Sequence, residues 1–332
     1  MPPFELKALA AAVLAAEPLR GATSPNPCVG ASALAVDGKL LGAAAHHGAG
    51  LPHAEPELLN LLEREGCLQD AHTLIVTLEP CNHTGRTPPC SETIVKRAPQ
   101  IKRVFYVCQD PNPKVAGAGA SFLRQHGVEA TVLQPEHLPG AWEHQDANHW
   151  LQRAQDLSAP FRKWITTGTP YVTLKRAWNQ QGSMIPEKGQ KTFTRPKSLV
   201  LAHQLRKRSD AIITGSGTVL ADIPEFTVRH VPDHPGKSRL LWIMARTTQI
   251  PRHYLDSAKS RGFQVHVGPE SPEEVLQELG RRGCLEVLIE AGPGVSQAFL
   301  GEGSTRNFCG WDELIDIVST PESDQIQLTR RE

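Results

Sequence analysis

The chain has 332 residues, which is enough for two domains that each bury their own core. Its 35 lysines and arginines balance 35 aspartates and glutamates, so no net positive charge attracts nucleic acid or an anionic membrane. The 7 cysteines, an odd number without a regular framework, indicate a reducing compartment. We therefore expect a cytoplasmic protein with small-molecule partners, and a homodimer is one option for its assembly.

The first half alternates predicted strands and helices. An amphipathic helix is predicted over the alanine-rich residues 8–16. Strands are predicted over residues 29–36, 73–78, 103–108 and 130–133, and further helices over residues 55–65, 91–97 and 118–125. This alternation is typical of an α/β fold. No uninterrupted apolar run approaches the roughly 18 residues that a membrane span needs.

A second alternating set follows a stretch rich in polar and aromatic residues. This stretch covers residues 134–160 and carries a predicted helix over 141–156. Further strands are predicted over residues 171–175, 211–214, 239–244, 264–267 and 286–289. The sequence therefore predicts two α/β domains, residues 1–146 and 147–332.

A histidine and two cysteines form a predicted metal site. His53 lies at a predicted helix start, because Pro56 is tolerated only in the first turn of a helix. Cys81 follows the strand over residues 73–78, and Cys90 opens the next helix, where a thiolate is stabilised. Three ligands leave the fourth tetrahedral position of zinc open, as catalytic sites require. We therefore expect Zn²⁺ bound by His53, Cys81 and Cys90.

Glu55, two residues after the histidine, is the predicted catalytic acid and base. A carboxylate that does not bind the metal can take a proton from water and pass it to a leaving amine, which is the role of glutamate in zinc deaminases. The motif therefore predicts hydrolytic deamination of a small nitrogen heterocycle. The remaining cysteines are predicted to be small buried hydrophobes; they are Cys28, Cys67, Cys108, Cys284 and Cys309.

The first half resembles the bifunctional deaminase/reductase family of riboflavin biosynthesis. The matching segments are Ser24-Pro25-Asn26-Pro27 with Val29-Gly30, residues 46–55, Thr77-Leu78-Glu79-Pro80-Cys81, residues 83–90, Asp110-Pro111-Asn112-Pro113 and Val115-Ala116-Gly117. The eight residues between the two cysteines mark this family, since most zinc deaminases carry Pro-Cys-x-x-Cys. The resemblance covers residues 5–133.

This resemblance implies a cytidine-deaminase-like domain that removes the 2-amino group of 2,5-diamino-6-(5-phosphoribosylamino)pyrimidin-4-one as ammonia. It also implies that Asn26 hydrogen-bonds the substrate and that His46, His83 and Arg86 lie near its phosphate or pyrimidine. Charge-assisted hydrogen bonds from arginine and histidine suit phosphate.

The second half resembles the reductase domain of the same family, a dihydrofolate-reductase-like α/β fold that uses NADPH to reduce the ribosyl group to ribityl. The matching segments are residues 170–175, 209–212, 215–222, 227–229 and 290–292. The resemblance implies a catalytic Lys175, substrate binding by Arg206, Asp222 and Arg229, and cofactor binding by Thr194, Gly215, Gly217, Thr218 and Glu290.

Several positions of the second half depart from the family pattern. The family's Ser-Leu-Asp-Gly, Trp-Ile-Thr-Gly and Asp-Asp-Pro read here Asn179-Gln180-Gln181-Gly182, Thr192-Phe193-Thr194-Arg195 and Asp222-Ile223-Pro224. Ala291 replaces a glycine, and we expect its Cβ to crowd a cofactor phosphate. The chain also ends soon after Asp312-Glu313-Leu314, so the second domain is expected to be divergent and shortened. A deaminase whose C-terminal domain has lost reductase activity is therefore the alternative.

Two other classes of function fit the sequence less well. A deaminase of tRNA or DNA is disfavoured by the balanced charge and by the long insert between the cysteines. A purely structural zinc module needs a fourth protein ligand, for which His83 is the best candidate.

Overall fold

A computed structural model describes residues 4–83, 88–137, 144–185, 192–301 and 310–331. The chain divides into two compact units, Met1–Thr167 and Gly168–Glu332. No helix in these ranges is long and apolar enough to cross a membrane.

The first unit is built on a five-stranded sheet. Its helices are α1 (Phe4–Ala16), α2 (Ala54–Arg64), α3 (Cys90–Arg97), α4 (Ala118–Gln125) and α5 (His144–Thr167), with 3-10 turns at Glu17–Leu19, Leu68–Asp70 and Pro135–His137. Its strands are β1 (Gly30–Leu34), β2 (Leu40–Ala45), β3 (Thr73–Leu78), β4 (Arg103–Cys108) and β5 (Glu129–Val132). The sheet order is β2-β1-β3-β4-β5, in which β3, β4 and β5 are parallel and β1 is antiparallel to both of its neighbours.

Helices cover both faces of this sheet. Leu74 and Val76 of β3 belong to the apolar core that contains α2, α3 and α4, whereas Ile75 belongs to the core that contains α1 and α5. Alternate side chains of a strand point to opposite faces, so an entirely buried central strand supports a layer of helices on each side.

The boundary between the two units falls after Thr167, one helix later than the predicted boundary at residue 146. Residue 146 lies in the first turn of α5. The apolar face of α5 explains the difference, because Leu151, Ala154 and Leu157 are buried in the same cluster as Leu9 of α1. Burial against α1 makes this helix part of the first unit.

The second unit is built on a seven-stranded sheet. Its strands are β6 (Tyr171–Trp178), β7 (Ala211–Gly215), β8 (Arg239–Met244), β9 (Phe263–Gly268), β10 (Glu286–Glu290), β11 (Glu313–Ser319) and β12 (Asp324–Arg330). Its helices are α6 (Pro196–Arg208), α7 (Ser216–Asp222), α8 (Arg252–Ser260), α9 (Pro272–Arg281) and α10 (Pro293–Leu300). The order is β12-β11-β6-β10-β7-β8-β9, parallel except for the hairpin partner β12.

This topology brings the carboxyl ends of β6, β10, β7 and β8 to one edge of the sheet. One face carries α9 and α10 over a core that includes Trp242 and Phe299, and the other carries α6 and α8 over Ile212 and Leu241. In open parallel sheets, ligands bind in crevices beyond the carboxyl ends of the strands.

Candidate functional site

The structure brings the three predicted metal ligands together. His53 caps the start of α2, Cys81 follows β3, and Cys90 is the first residue of α3. The Nδ1 atom of His53 lies 3.7 Å from Sγ of Cys81 and 3.4 Å from Sγ of Cys90. Tetrahedral bonds of about 2.05 Å to nitrogen and about 2.3 Å to sulfur would separate such atoms by about 3.5 Å. The donor set and its spacing therefore fit zinc.

No other histidine, cysteine or carboxylate joins this group within the part of the chain that the structure describes. The ligand atoms of the three residues all lie within 4.8 Å of one another. His83, the candidate fourth ligand, is exposed and lies outside the group. Three protein ligands leave one position open, which is the pattern of a catalytic zinc site.

The two sulfur atoms form a polarised pair. The backbone N–H of Cys90 donates to Sγ of Cys81 at 3.4 Å. Hydrogen bonds from the Cys90 thiol and from His53 lower the pKa of Cys81 to about 4. This sulfur is thus a thiolate at neutral pH, the form that binds metals.

Glu55 is buried beside the metal ligands and is 3% exposed. It occupies the first turn of α2 and does not belong to the metal-binding group. Burial, followed by the nearby Cys81 sulfur, raises the pKa of Glu55 to about 7. A carboxyl group with this pKa can both accept and donate a proton near neutral pH.

The half-buried Asn26 and the buried His46 form a pair next to the zinc ligands. Nδ1 of His46 donates to the carbonyl oxygen of Pro52 at 2.9 Å, which leaves Nε2 to accept from Nδ2 of Asn26 at 3.1 Å. Burial lowers the pKa of His46, and its ring meets that of His53 edge to face at 5.2 Å. Because both ring nitrogens bond to protein atoms, His46 orients Asn26 in this structure.

His83 is exposed at the rim of this site, and Arg86 lies outside the described residues. The sequence interpretation assigned no role to two acidic residues near this site. Glu79 follows β3, and the half-buried Asp110 follows β4 and interacts electrostatically with Cys81 and His83. The signal was available, because polar residues directly after adjacent parallel strands meet at one sheet edge.

Three of the predicted reductase residues form one buried ionic cluster in the second unit. Lys175 and Glu290 are register partners on β6 and β10, and Nζ of Lys175 lies 3.0 Å from Oε1 of Glu290. Arg206 of α6 donates from Nε to Oε2 and from Nη2 to Oε1 of Glu290, both at 2.8 Å. Both cations hold the pKa of the Glu290 carboxyl well below its usual range. Two cations on one anion leave the cluster with a net positive charge.

Arg229 lies next to this cluster through Thr227. Arg206 donates to the carbonyl oxygen of Thr227 at 3.2 Å, and Arg229 donates to its hydroxyl oxygen at 2.8 Å. The guanidinium of Arg229 also pairs with Glu225 and is half exposed. Arg206 and Arg229 thus share Thr227 as a hydrogen-bond partner.

The two glycine segments predicted to bind a cofactor are adjacent. The backbone N–H of Gly292, after β10, donates to Oγ1 of Thr218 at 2.9 Å. A Cβ added at Gly217 or Gly294 would meet no described atom within 4 Å, whereas one at Gly215 would lie 2.8 Å from Cγ2 of Val295. Bare backbone that borders open space at the carboxyl edge of the sheet fits a dinucleotide cofactor.

Thr194 and Asp222 are not joined to the ionic cluster by the hydrogen bonds of the described residues. Thr194 bonds to Thr192, with 3.1 Å from its backbone nitrogen to the Thr192 hydroxyl. Asp222 is exposed at the end of α7.

Ala291 does not face the predicted cofactor site. Its side chain is 9% exposed and belongs to the apolar core that includes Phe299. The expectation that the Cβ of Ala291 crowds a cofactor phosphate was therefore wrong, because this Cβ points into the core.

Comparison with known proteins agrees with this geometry. Residues 4–108 match the cytidine and deoxycytidylate deaminase zinc-binding region, and residues 170–305 match the RibD C-terminal domain. The riboflavin biosynthesis protein RibD of Aquifex aeolicus is 33% identical over an alignment 304 positions long, gaps included, which spans 86% of this chain and 80% of that protein. The Escherichia coli (strain K12) RibD is 31% identical over an alignment 349 positions long, which spans 94% of this chain and 86% of that protein.

Two solved structures are similar to this chain over most of its length. Acinetobacter baumannii RibD, form 1, has a TM-score of 0.71 and 31% identity, covering 95% of this chain and 86% of that one. The diaminohydroxyphosphoribosylaminopyrimidine deaminase/5-amino-6-(5-phosphoribosylamino)uracil reductase of Thermotoga maritima has a TM-score of 0.73 and 27% identity, covering 96% and 87%. This chain therefore belongs to the RibD family: a cytidine-deaminase-like zinc enzyme domain is followed by a dihydrofolate-reductase-like domain that uses NADPH.

Proposed function

We propose that the chain catalyses two consecutive reactions of riboflavin biosynthesis. It hydrolyses the 2-amino group of 2,5-diamino-6-(5-phosphoribosylamino)pyrimidin-4-one, and it then reduces the ribosyl group of the product to ribityl with NADPH. The observation that carries the first step is the buried Glu55 carboxyl beside the group of His53, Cys81 and Cys90. The balanced charge of the chain supports a small-molecule partner rather than a nucleic acid.

In the deamination, Glu55 moves protons between water and the leaving amine. Zinc, when bound by His53, Cys81 and Cys90, supplies Lewis acidity that makes water nucleophilic near neutral pH. Glu55 accepts a proton as the carbon–oxygen bond forms and returns it to nitrogen as the carbon–nitrogen bond breaks, so that ammonia leaves. The pKa of about 7 allows the carboxyl group to serve in both directions.

Asn26 is proposed to orient the pyrimidine in this site. Its amide is held by the neutral ring of His46, which accepts one of the two amide N–H groups at 3.1 Å. The amide oxygen then accepts from a donor of the substrate. A fixed amide dipole contributes positioning and discriminates between heterocycles by their donors and acceptors.

In the reduction, the ionic cluster holds the ribosyl phosphate moiety. NADPH, when bound along the glycine segments, supplies the hydride. Lys175 uses one N–H on Glu290 at 3.0 Å and offers its remaining donors to the open-chain ribosyl group. Ring opening breaks the ring C–O bond of C1′ and leaves a C=N bond between C1′ and the nitrogen on the pyrimidine. Reduction then needs a hydride at C1′ and a proton at this nitrogen, which Lys175 donates. Arg206 and Arg229 supply positive charge for the phosphate.

Substitution of the proposed acid and base tests the first activity. Glu55→Gln preserves the shape of the side chain but cannot carry a proton, so ammonia release should fall by about 10²–10⁴-fold. Glu57→Gln changes another acidic residue in the first turn of α2 and should leave the rate close to that of the wild type. Zinc content, measured by atomic emission, should be the same in both variants. Near-normal turnover by Glu55→Gln would refute the assigned role.

The alternative function is deamination alone, and the exposed Ile223 favours it. Ile223 stands where the family carries an aspartate, and it is 65% exposed beside the glycine segment of α7. If reduction requires a polar side chain at position 223, the second unit binds the deaminated product without reducing it. Measurement of NADPH oxidation by the purified chain with the deaminated product separates the two functions.

A further inference from the structure

A buried carboxylate that the proposed mechanism does not use lies directly behind the zinc ligands. Glu79 is 4% exposed, and only Pro80 separates it from Cys81. Its own backbone N–H donates to the carbonyl oxygen of Cys108 at 2.8 Å, so its position on the sheet edge is fixed. A buried carboxylate is costly unless its charge is compensated, so its partners indicate what it does.

The partners of Glu79 are backbone N–H groups of one segment. Oε2 accepts from the N–H of Asp110 at 3.2 Å and of Gly117 at 3.0 Å, and Oε1 accepts from the N–H of Ala120 at 3.0 Å. One side chain thus ties down both ends of the loop between β4 and α4. We call residues 110–117 the Asp110 loop.

The chemistry of this contact requires a carboxylate. An ionised carboxylate is purely an acceptor, whereas the amide of glutamine carries an NH₂ group on one side. With donors on both oxygens of Glu79, either orientation of a glutamine would set an NH₂ group against at least one backbone N–H. The contact is therefore sensitive to a change of one atom.

The first turn of α4, which follows the Asp110 loop, packs closely against the residue before Cys81. A Cβ added at Gly119 would lie 1.8 Å from the carbonyl oxygen of Pro80. The first turn of α4 therefore rests on the backbone of the residue that precedes the zinc ligand Cys81. Displacement of the Asp110 loop is coupled to the segment that carries this ligand.

The Asp110 loop brings a polar group to the rim of the zinc site. The carboxyl of Asp110 is half-buried, accepts the N–H of Asn112 at 2.9 Å, and interacts electrostatically with Cys81 and His83. The loop thus carries a carboxyl group that is close enough to the zinc site to interact with Cys81.

We propose that Glu79 is a positioning residue for deamination, which holds the Asp110 loop against the zinc site through three backbone hydrogen bonds. This inference rests on the proposed deaminase activity. Glu79 touches no reacting atom in this account. Its effect on the reaction passes through the placement of the Asp110 loop.

The first test is Glu79→Gln in the full chain. Misplacement of groups that position a substrate costs up to about 10²-fold, and we expect kcat/KM for ammonia release to fall by about 10–100-fold, mainly through a higher KM. Zinc content and NADPH-dependent reduction of the deaminated product should not change. Glu92→Gln, at a half-buried residue of α3 that pairs with Lys96, is the matched control. A merely structural role would instead lower the fraction of active protein, so kcat would fall at constant KM.

A second pair of variants keeps the proposal testable if Glu79→Gln fails to fold. Gly117 and Gly127 both have φ of 76°, one in the Asp110 loop and one after α4. Alanine at either position introduces the same backbone strain, but only Gly117→Ala displaces a partner of Glu79. We expect a raised KM in Gly117→Ala and a wild-type KM in Gly127→Ala.

Each outcome of these measurements is decisive. Equal KM values in both glycine variants and in Glu79→Gln, with a wild-type enzyme that releases ammonia, would overturn the positioning role alone. A wild-type chain that releases no ammonia would instead overturn the proposed deaminase function.

Discussion

Lys175 and Glu290 are direct register partners on adjacent parallel strands, and Nζ of the lysine lies 3.0 Å from Oε1 of the glutamate. Arg206 occupies both oxygens of the same carboxylate at 2.8 Å. The glutamate was expected to bind the cofactor. In the structure its oxygens are taken by two cations, so it fixes the positions of the two groups that are proposed to hold the substrate.

Replacing Glu290 by glutamine should disable the reductase without affecting the deaminase. The substitution leaves two buried cations without their shared anion, and removal of one partner of a buried ion pair typically costs about 3–5 kcal/mol. We expect NADPH oxidation to fall at least tenfold while ammonia release is unchanged. Glu278→Gln, which removes a half-buried surface partner of Arg281 and Arg282, should retain both activities. Full reductase activity in Glu290→Gln would contradict the role of the cluster.

Removal of a single cysteine should remove the metal. The sulfur of Cys90 is one of three ligand atoms, two sulfurs and one nitrogen, that lie within 4.8 Å of one another. Serine is a poor zinc ligand because its hydroxyl is not deprotonated at neutral pH, so Cys90→Ser should contain far less than one zinc per chain. Cys67→Ser, outside the group, should retain it. The measurement is metal analysis of dialysed protein, and retention of zinc by Cys90→Ser would disprove the ligand assignment.

His203 should make the second unit less stable in mild acid. Nδ1 of His203 accepts the backbone N–H of Arg229 at 2.8 Å, and Nε2 lies 3.5 Å from Nη1 of Arg206. Burial and the charge of Arg206 lower its pKa from 6.5 to about 4. Below pH 6.5 the unfolded chain therefore binds a proton that the folded chain does not bind until about pH 4.

The contribution of this histidine to folding is thus fully present above pH 6.5 and is lost as the pH falls towards 4, by at most about 1.4 kcal/mol per pH unit for one proton. Urea unfolding at pH 7 and pH 5 checks this. His203→Gln should lose less stability between the two values than the wild type does. The exposed His253→Gln should behave as the wild type. Identical pH dependence in all three proteins would contradict the prediction.

Relief of backbone strain at Ile223 should stabilise the protein. This β-branched residue ends α7 with φ of 45° and ψ of 53°, a left-handed conformation that favours glycine and asparagine. Because the side chain is 65% exposed, little packing is lost on substitution. Ile223→Asn should raise the free energy of unfolding by about 1 kcal/mol. Leu220→Asn, at an exposed position within the same helix, should not; a loss of stability in Ile223→Asn would argue against strain.

The sequence was sufficient for features that depend on local patterns. The buried strand Thr73–Leu78 is an unbroken run of apolar and β-branched residues. Each zinc ligand lies at the end of a predicted element: His53 before α2, Cys81 after β3 and Cys90 at the start of α3. Strand β2 was missed because Leu40–Ala45 consists of leucine, glycine and alanine, which do not favour strands. The strands β11 and β12 were not predicted either.

Helix α5 shows a second limit of local patterns. It was predicted to end at residue 156, but it continues through Pro160 to Thr167. Proline normally interrupts a helix, and here packing of the apolar face of α5 on α1 outweighs that preference. The roles of Glu79 and Glu290 were equally inaccessible, since both depend on partners far away in sequence.

Coupled turnover tests the central claim of two activities in one chain most directly. The purified chain is incubated with the diaminopyrimidinone ribosylamine phosphate and NADPH, and ammonia release and loss of absorbance at the nicotinamide band are recorded together. We expect ammonia first and then NADPH oxidation, with Glu55→Gln abolishing both from this substrate and Lys175→Ala abolishing only the second. Ammonia release without NADPH oxidation above background in the wild type would contradict the account, because the second unit would then be a domain without reductase activity.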